Sequence, residues 1–261
     1  MGNKIKSITN LLFIIIGLLF SSSLFANTDT NKPFQFVCSE WPPFEYKDEN
    51  NKITGYSVEI LQAILEELSV EDNIKIYPWK RVLLIVNKDI NTLAFTMART
   101  PARENTFKWV GPIAKREIYL WKLKDRKDII IENWSDVQKY TIGTVRGDAA
   151  ENQLKEKGFI KGKNIDPVNT QLQNYKKLYN KRVDLMYGLE LSTIYGVTKA
   201  GLDTSELEKS LLLSGDLNYY YAFNINTSDE TVLKFNNALE KIKNNGVFDS
   251  IVRKYSTSVN K

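Results

Sequence analysis

The stretch "TLAFTMARTPAREN" (92–105) passes from an apolar, β-compatible run into a proline-fixed loop that carries two arginines, Arg99 and Arg103. A guanidinium is always charged and planar, and it grips a carboxylate through two parallel hydrogen bonds. Pro101 restricts the loop, so less entropy is lost in ordering it. A strand that ends near Ala98 and delivers a cation into the next turn suits an anionic ligand. It also suits a plain ion pair with a neighbouring acid such as Glu104.

Similar strand-like runs recur along the chain. "FQFVCS" (34–39), "NIKIYP", "IYLWKL", "TIGTV" and "DLMYGL" are short apolar or β-branched segments bounded by turn residues. Between them lie helical patterns. "GYSVEILQAILEEL" sets Val58, Leu61, Leu65 and Leu68 on one face with Ser57 as a candidate N-cap, and "AAENQLKEKG" and "QLQNYKKLYN" follow later. After "LNYYYAFNI" comes "SDETVLKFNNALEKIKNNG", with Val232, Phe235, Leu239 and Ile242 on one face and Asn245-Gly246 as its C-cap. Strand–helix alternation predicts an α/β protein with mostly parallel sheets covered on both faces. Ligands of such sheets bind beyond the C-terminal ends of the strands, which places the loop after Ala98 at a binding edge.

Composition prunes the chemistry. The chain of 261 residues contains no histidine and one cysteine. That removes Ser-His-Asp triads, Cys-His pairs, His-containing metal sites and intramolecular disulfides. We expect no metal and no cofactor. Cys38, in an alternating apolar run, reads as a buried strand residue. The first 26 residues read as a secretory signal peptide, with Lys4 and Lys6 before the apolar run Leu11–Phe20 and cleavage near Ala26. Acidic and basic residues are interspersed, so a net charge of +5 reads as a solvated surface and not as a nucleic-acid footprint.

Two long extended segments, 111–123 and 214–230, flank a middle block that repeats the strand–helix rhythm. The predicted division is a signal peptide over 1–26, a discontinuous lobe over 27–115 plus 221–261, and a second lobe over 116–220.

The order "WPPFEYKDENNKITGYSVEI", "RTPARENTFKWVGPI", "TIGTVRGDAAE", "RVDLMYG" and "NNALEKIKNNGVFDSIVRKY" resembles the periplasmic solute-binding proteins of polar amino-acid ABC transporters. The resemblance spans nearly all of the chain after residue 26. It implies a bilobed type II periplasmic-binding-protein clamp: two α/β domains joined by two hinge strands, closing over one small ligand. It further implies a monomer in the periplasm that carries no enzymatic activity and serves an ABC permease.

Residue by residue, the resemblance assigns the ligand's carboxylate to Arg103, a hydroxyl position to Thr96, and a backbone N–H alone to Ala98, where relatives carry Ser or Thr. Trp41 and Phe44 match an aromatic wall, or else core packing, and Glu40 is a second candidate beside them. Trp79 lines the cleft or covers the helix that follows it. In the second lobe Gly147, Asp148 and Ala149 match a helix-opening turn whose N–H groups meet the ligand, with Asp148 also a plain helix cap. An ammonium-binding aspartate would fall at Leu189. Glu190, one place later, either takes that role through a local bulge or points to the other face. Two alternative functions fit the same scaffold: a periplasmic enzyme of the cyclohexadienyl-dehydratase type, using Glu190, Asp148 or Glu40, and a soluble sensor for a signalling partner.

Overall fold

The computed structural model describes residues 32–147 and 149–256, so the signal-peptide reading and Asp148 lie outside the described residues. In chain order the elements are β1 (Gln35–Cys38), β2 (Tyr46–Lys47), β3 (Ile53–Thr54), α1 (Tyr56–Leu68), β4 (Ile74–Ile76), α2 (Trp79–Lys88), β5 (Thr92–Ala98), β6 (Phe107–Lys115), β7 (Ile118–Leu123) and α3 (Trp134–Val137). There follow β8 (Ile142–Val145), α4 (Ala149–Glu156), β9 (Ile165–Val168), α5 (Gln171–Tyr179), β10 (Leu185–Leu189), α6 (Glu190–Lys199), β11 (Leu207–Ser214), β12 (Asn218–Asn224), α7 (Asp229–Asn244) and α8 (Val247–Ser256).

The strands form two five-stranded sheets of mixed α/β architecture, ordered β4-β1-β5-β12-β6 and β11-β7-β10-β8-β9. They are less parallel than the alternation predicts. In the first sheet β1 runs parallel to β4 and β5, but β12 is antiparallel to both β5 and β6. In the second, β8 is parallel to β9 and β10, while β7 is antiparallel to β10 and β11. The antiparallel half has a simple origin: the chain leaves the first sheet along β6 and returns along β12, so the outgoing and returning strands pair with each other.

Each sheet buries two faces, and period-two alternation allots the side chains. Phe36, Cys38, Leu93, Phe95, Tyr221 and Phe223 face α1, α7 and α8 in the largest core cluster. Val37, Ala94 and Ala222 face the opposite way, onto Val82 and Val86 of α2. In the second sheet Leu120, Ile142 and Leu185 pack with Leu154 and Phe159, whereas Trp121 and Met186 pack with Tyr175, Leu178 and Val197. Cys38 is fully buried, as expected of a strand residue, and burial pushes its thiol pKa up.

The parity breaks in β5, as it does again in β6 around Gly111. Leu93 and Phe95 share a face, but Met97 joins Ala94 on the other. Three steps along β5, from Ala94 to Met97, oppose two along β12, from Ala222 to Tyr220. This is a β-bulge. It coincides with Thr96, whose φ of 48° lies in the left-handed region that a β-branched residue rarely adopts.

α1 begins after Gly55 and not at a Ser57 cap. At Gly55 φ is 131°, and a Cβ would lie 2.3 Å from the carbonyl oxygen of Phe44. Ser57 is fully buried inside the first turn. At the other end of the chain the expected cap is present: Asn245 closes α7 and Gly246 follows with φ 82°.

Candidate functional site

The bulge in β5 decides what the strand end offers. It turns the Thr96 hydroxyl inward, where it donates to Glu45 Oε2 at 2.9 Å and lies 2.6 Å from Ser57 Oγ. Thr96 is 5 % exposed, so its side chain belongs to the floor beneath the strand end. Glu45 is itself buried, and burial pushes its carboxyl up to about 8 against the opposing pull of hydrogen bonds from Thr96 and Ser57. The carboxyl is therefore mostly neutral at pH 7.

Beyond Thr96, Ala98 ends the strand opposite Tyr219. The next turn, Pro101–Arg103, folds back so that Arg103 Nη1 donates to the Ala98 carbonyl at 3.3 Å. Arg103 is half-buried, and among the described residues it makes no ion pair within 4.0 Å. Glu104 is taken instead by Arg99, whose Nε donates to Oε2 at 2.8 Å. The Arg99 guanidinium lies over the rings of Trp109 and Tyr220, at 5.6 and 5.2 Å from their centroids. Of the two arginines in the quoted loop, one is thus spent on its neighbours and the other keeps its charge uncompensated.

The aromatic candidates divide. Trp41 is half-buried, its ring 4.7 Å from Phe44 and 5.4 Å, edge-on, from Tyr219. Phe44 is 1 % exposed and packs in the main core. Trp79 opens α2 and rests on the cluster of Val37, Val82 and Met97. Arg81 lies over the Tyr77 ring at 4.8 Å. Glu40 is exposed on the loop after β1.

On the second sheet, Gly147 has φ 76° and open space where a Cβ would project. Its N–H donates to Glu151 Oε2 at 2.6 Å, and Ala149 is the first residue of α4. Glu190 opens α6, its N–H bonded to the Glu117 carbonyl and its carboxylate 2.5 Å from Lys209 Nζ. That ion pair engages the carboxylate outside the loop that follows β1.

Two cavities meet at Leu189. One, of about 540 Å³, is lined by Trp41 and Pro42 from the first sheet's side and by Tyr187, Leu189, Ser192 and Lys199 from the second. The other, of about 330 Å³, is lined by Phe44, Lys115, Glu117 and Glu190 among others. Both volumes are of the size that small-molecule sites occupy. Arg103, Trp79 and Gly147 line neither of these two. Tyr187, Ser192, Tyr195 and Lys199 are additions to the sequence-derived list. For Tyr195 a signal was present in "YGLELSTIYGVTK", where Thr193 and Val197 recur at helical spacing and turn the residue between them outward.

A model described as bacterial extracellular solute-binding proteins, family 3, matches residues 36–258. The chain belongs to that family. Among curated relatives it is 26% identical over 219 residues to the "Probable amino-acid-binding protein YxeM" of Bacillus subtilis (strain 168), covering 82% of this chain and 79% of that one. It is 22% identical over 217 residues to the L-cystine-binding protein TcyA of the same organism, covering 82% and 77%. Among solved structures, substrate-binding domain 2 of GlnP from Lactococcus lactis, in its open conformation, superposes with a TM-score of 0.68 at 20% identity, covering 85% of this chain and 94% of that one. The family 3 protein therefore has the bilobed type II fold that its motif order implies. The curated relatives are named as binding proteins.

Proposed function

We propose that this family 3 protein captures a small polar solute carrying a carboxylate, of amino-acid size, as its lobes close, and delivers it to an ABC permease. The lobes correspond to the two sheets, 27–115 plus 221–261 making up most of one and 116–220 most of the other, with β12 (Asn218–Asn224) wholly in the first sheet. The observation that carries the reading is Arg103: a half-buried guanidinium at the end of β5, bonded to one carbonyl and without a carboxylate among the described residues. A cation partly withdrawn from water without a counter-charge gains from a carboxylate partner, which a ligand would supply. Names of curated relatives that refer to amino acids and L-cystine support the solute's size class.

The reading is non-catalytic. Glu190 is engaged by Lys209, and Glu45 is sealed beneath Thr96, so neither is free to serve as an acid or base at the cavity. The chain acts as a monomer in the periplasm after cleavage near Ala26. The test is equilibrium dialysis of the protein against a bacterial small-molecule extract, with mass spectrometry of what is retained. Retention of one unaltered compound at unit stoichiometry, lost in Arg103→Ala, supports the proposal. Recovery of a converted product, or retention that survives in Arg103→Ala, overturns it.

A further inference from the structure

Positive charge is concentrated on one stretch of the second sheet. Between Lys139 and Arg182 the chain carries ten Lys and Arg against four Asp and Glu, Asp148 among them. Lys139 and Lys181 are met from outside the stretch or at its border, by Asp136 and Asp125. Lys155 pairs with Glu151 and Lys177 with Asp166. Six cations of the stretch then stand against Asp148 and Glu156, so an excess remains whichever of them those two acids meet.

Part of that excess converges on a depression beside the edge strand β9. A cavity of about 430 Å³ there is lined by Arg146, Lys176, Lys177 and Arg182, with Asn169 and Gln173 between them. The two carboxamides have their acceptors engaged: Asn169 Oδ1 takes Arg146 Nε at 3.4 Å, and Gln173 Oε1 takes the N–H groups of Asn169 and Thr170 at 3.1 and 3.3 Å. Their amide nitrogens add donors to the four cations. The strand edge itself is closed to a further strand. Ile165 N–H bonds the Ile160 carbonyl, the Ile165 carbonyl takes the Gly162 N–H, and Pro167 has no N–H. Arg146 Nη2 reaches the Pro167 carbonyl at 3.5 Å. A partner on this face is therefore met by side chains and not by strand addition.

The guanidinium forks of Arg146 and Arg182 each match two oxygens of one oxyanion, and Lys176 and Lys177 add compact point charges. A single carboxylate would answer one of the four. A ligand with several negative charges close together answers the group.

We propose that this face is a second anion site, for a ligand bearing phosphate groups, either a soluble polyphosphate or the headgroups of an anionic bilayer. It stands apart from the solute reading, because none of its lining residues belongs to the two cavities that meet at Leu189.

Equilibrium dialysis of the whole chain against pyrophosphate at low ionic strength is expected to show one saturable site that weakens as salt rises. Lys176→Gln with Arg182→Gln, both at exposed positions, is expected to lower the affinity about tenfold or more with the melting temperature unchanged. Lys176→Arg with Arg182→Lys keeps the charge and is expected to stay within about threefold of wild type. Lys47→Gln with Lys88→Gln removes the same charge from exposed positions of β2 and α2 and is expected to leave the affinity unchanged. Sedimentation with phosphatidylglycerol or phosphatidylcholine vesicles separates the two sources. Retention on phosphatidylglycerol alone, displaced by pyrophosphate and lost in Lys176→Gln with Arg182→Gln, assigns the bilayer. Pyrophosphate binding without vesicle retention assigns a soluble ligand. Absence of saturable pyrophosphate binding overturns the inference. So does an equal loss in the two glutamine pairs, or tighter retention of citrate than of pyrophosphate.

Discussion

The hydroxyl of Thr96 donates to a carboxyl oxygen of Glu45 across 2.9 Å, joining the bulged end of β5 to the loop that follows β1. Trp41 N–H bonds the Glu45 carbonyl in the same loop, so this buried link braces the segment that carries Trp41 and Phe44.

The link makes stability depend on pH in a defined direction. Burial holds the Glu45 carboxyl near 8 in the folded chain, whereas an unfolded glutamate titrates near about 4.3. Between these values the folded chain keeps a proton that the unfolded chain has released. Stability therefore falls as pH rises through about 4.5 to 8 and levels off above. The slope from this one group approaches 1.4 kcal/mol per pH unit at most, by the factor that converts a pKa unit to free energy. Urea denaturation of wild type and Glu45→Gln across pH 5–9 tests it. Glu45→Gln is expected to show a flatter profile, and parallel profiles would refute the assignment.

Arg103→Ala is expected to weaken retention of the bound solute by roughly 2–5 kcal/mol, the usual cost of truncating one side of a buried charge pair. The folded chain loses only the 3.3 Å bond to Ala98, so its urea midpoint should shift little. Calorimetry with the compound recovered from dialysis measures the first quantity. An Arg103→Lys variant should recover part of the affinity through charge but not the two-bond grip.

Gly55→Ala tests the entry to α1. A Cβ there would sit 2.3 Å from the Phe44 carbonyl oxygen and 2.9 Å from that of Pro43, both backbone atoms, at a φ of 131°. Neither neighbour can swing aside. The variant is expected to lose more than about 3 kcal/mol in chemical denaturation, in the range of a strained backbone combined with overpacking. A loss under about 1 kcal/mol would mean the loop after β1 yields easily.

Asp184 anchors the second sheet from outside the binding region. Its Oδ1 receives Arg126 Nη2 at 2.9 Å and its Oδ2 receives the Thr141 N–H at 2.9 Å. Asp184→Ala strands the Thr141 N–H and removes one of two carboxylates from Arg126, which keeps Asp128, and should cost about 1–3 kcal/mol. Asp184→Asn, which keeps an acceptor for Thr141, should cost less. Equal losses in the two variants would show that the Thr141 bond contributes nothing.

Most of the architecture was legible because it is written in local periodicity. The strands around Phe36, Leu93, Leu120, Ile142 and Leu185 are apolar runs, and α1, α5 and α7 carry their faces at helical spacing. What escaped was set by partners distant in the chain. Ser57 in a helix-opening position reads as a cap, yet its hydroxyl is claimed by Thr96, 39 residues away. Nothing within "PPFEY" announces that Thr96 and Ser57 will enclose Glu45.

β11 was invisible for a different reason. "LEKSLLLS" lacks clean alternation, and its pairing with β7 is broken by register shifts between Lys209 and Leu211 and between Leu212 and Ser214. The site divides along the same line. Arg103 stands out as a candidate from its local turn, whereas the cavity wall at Tyr187, Ser192 and Lys199 depends on where α6 docks.

The two passages between the sheets lie side by side: Lys115 is paired with Asn218 in one sheet and Ile118 with Ser214 in the other. The whole intervening segment therefore starts and finishes at nearly one point in space, like a bead hung on a hairpin. Excising it and joining β6 to β12 by a short turn would leave the first sheet's strand order intact. In this architecture, material can be exchanged at that junction without rethreading the rest of the fold.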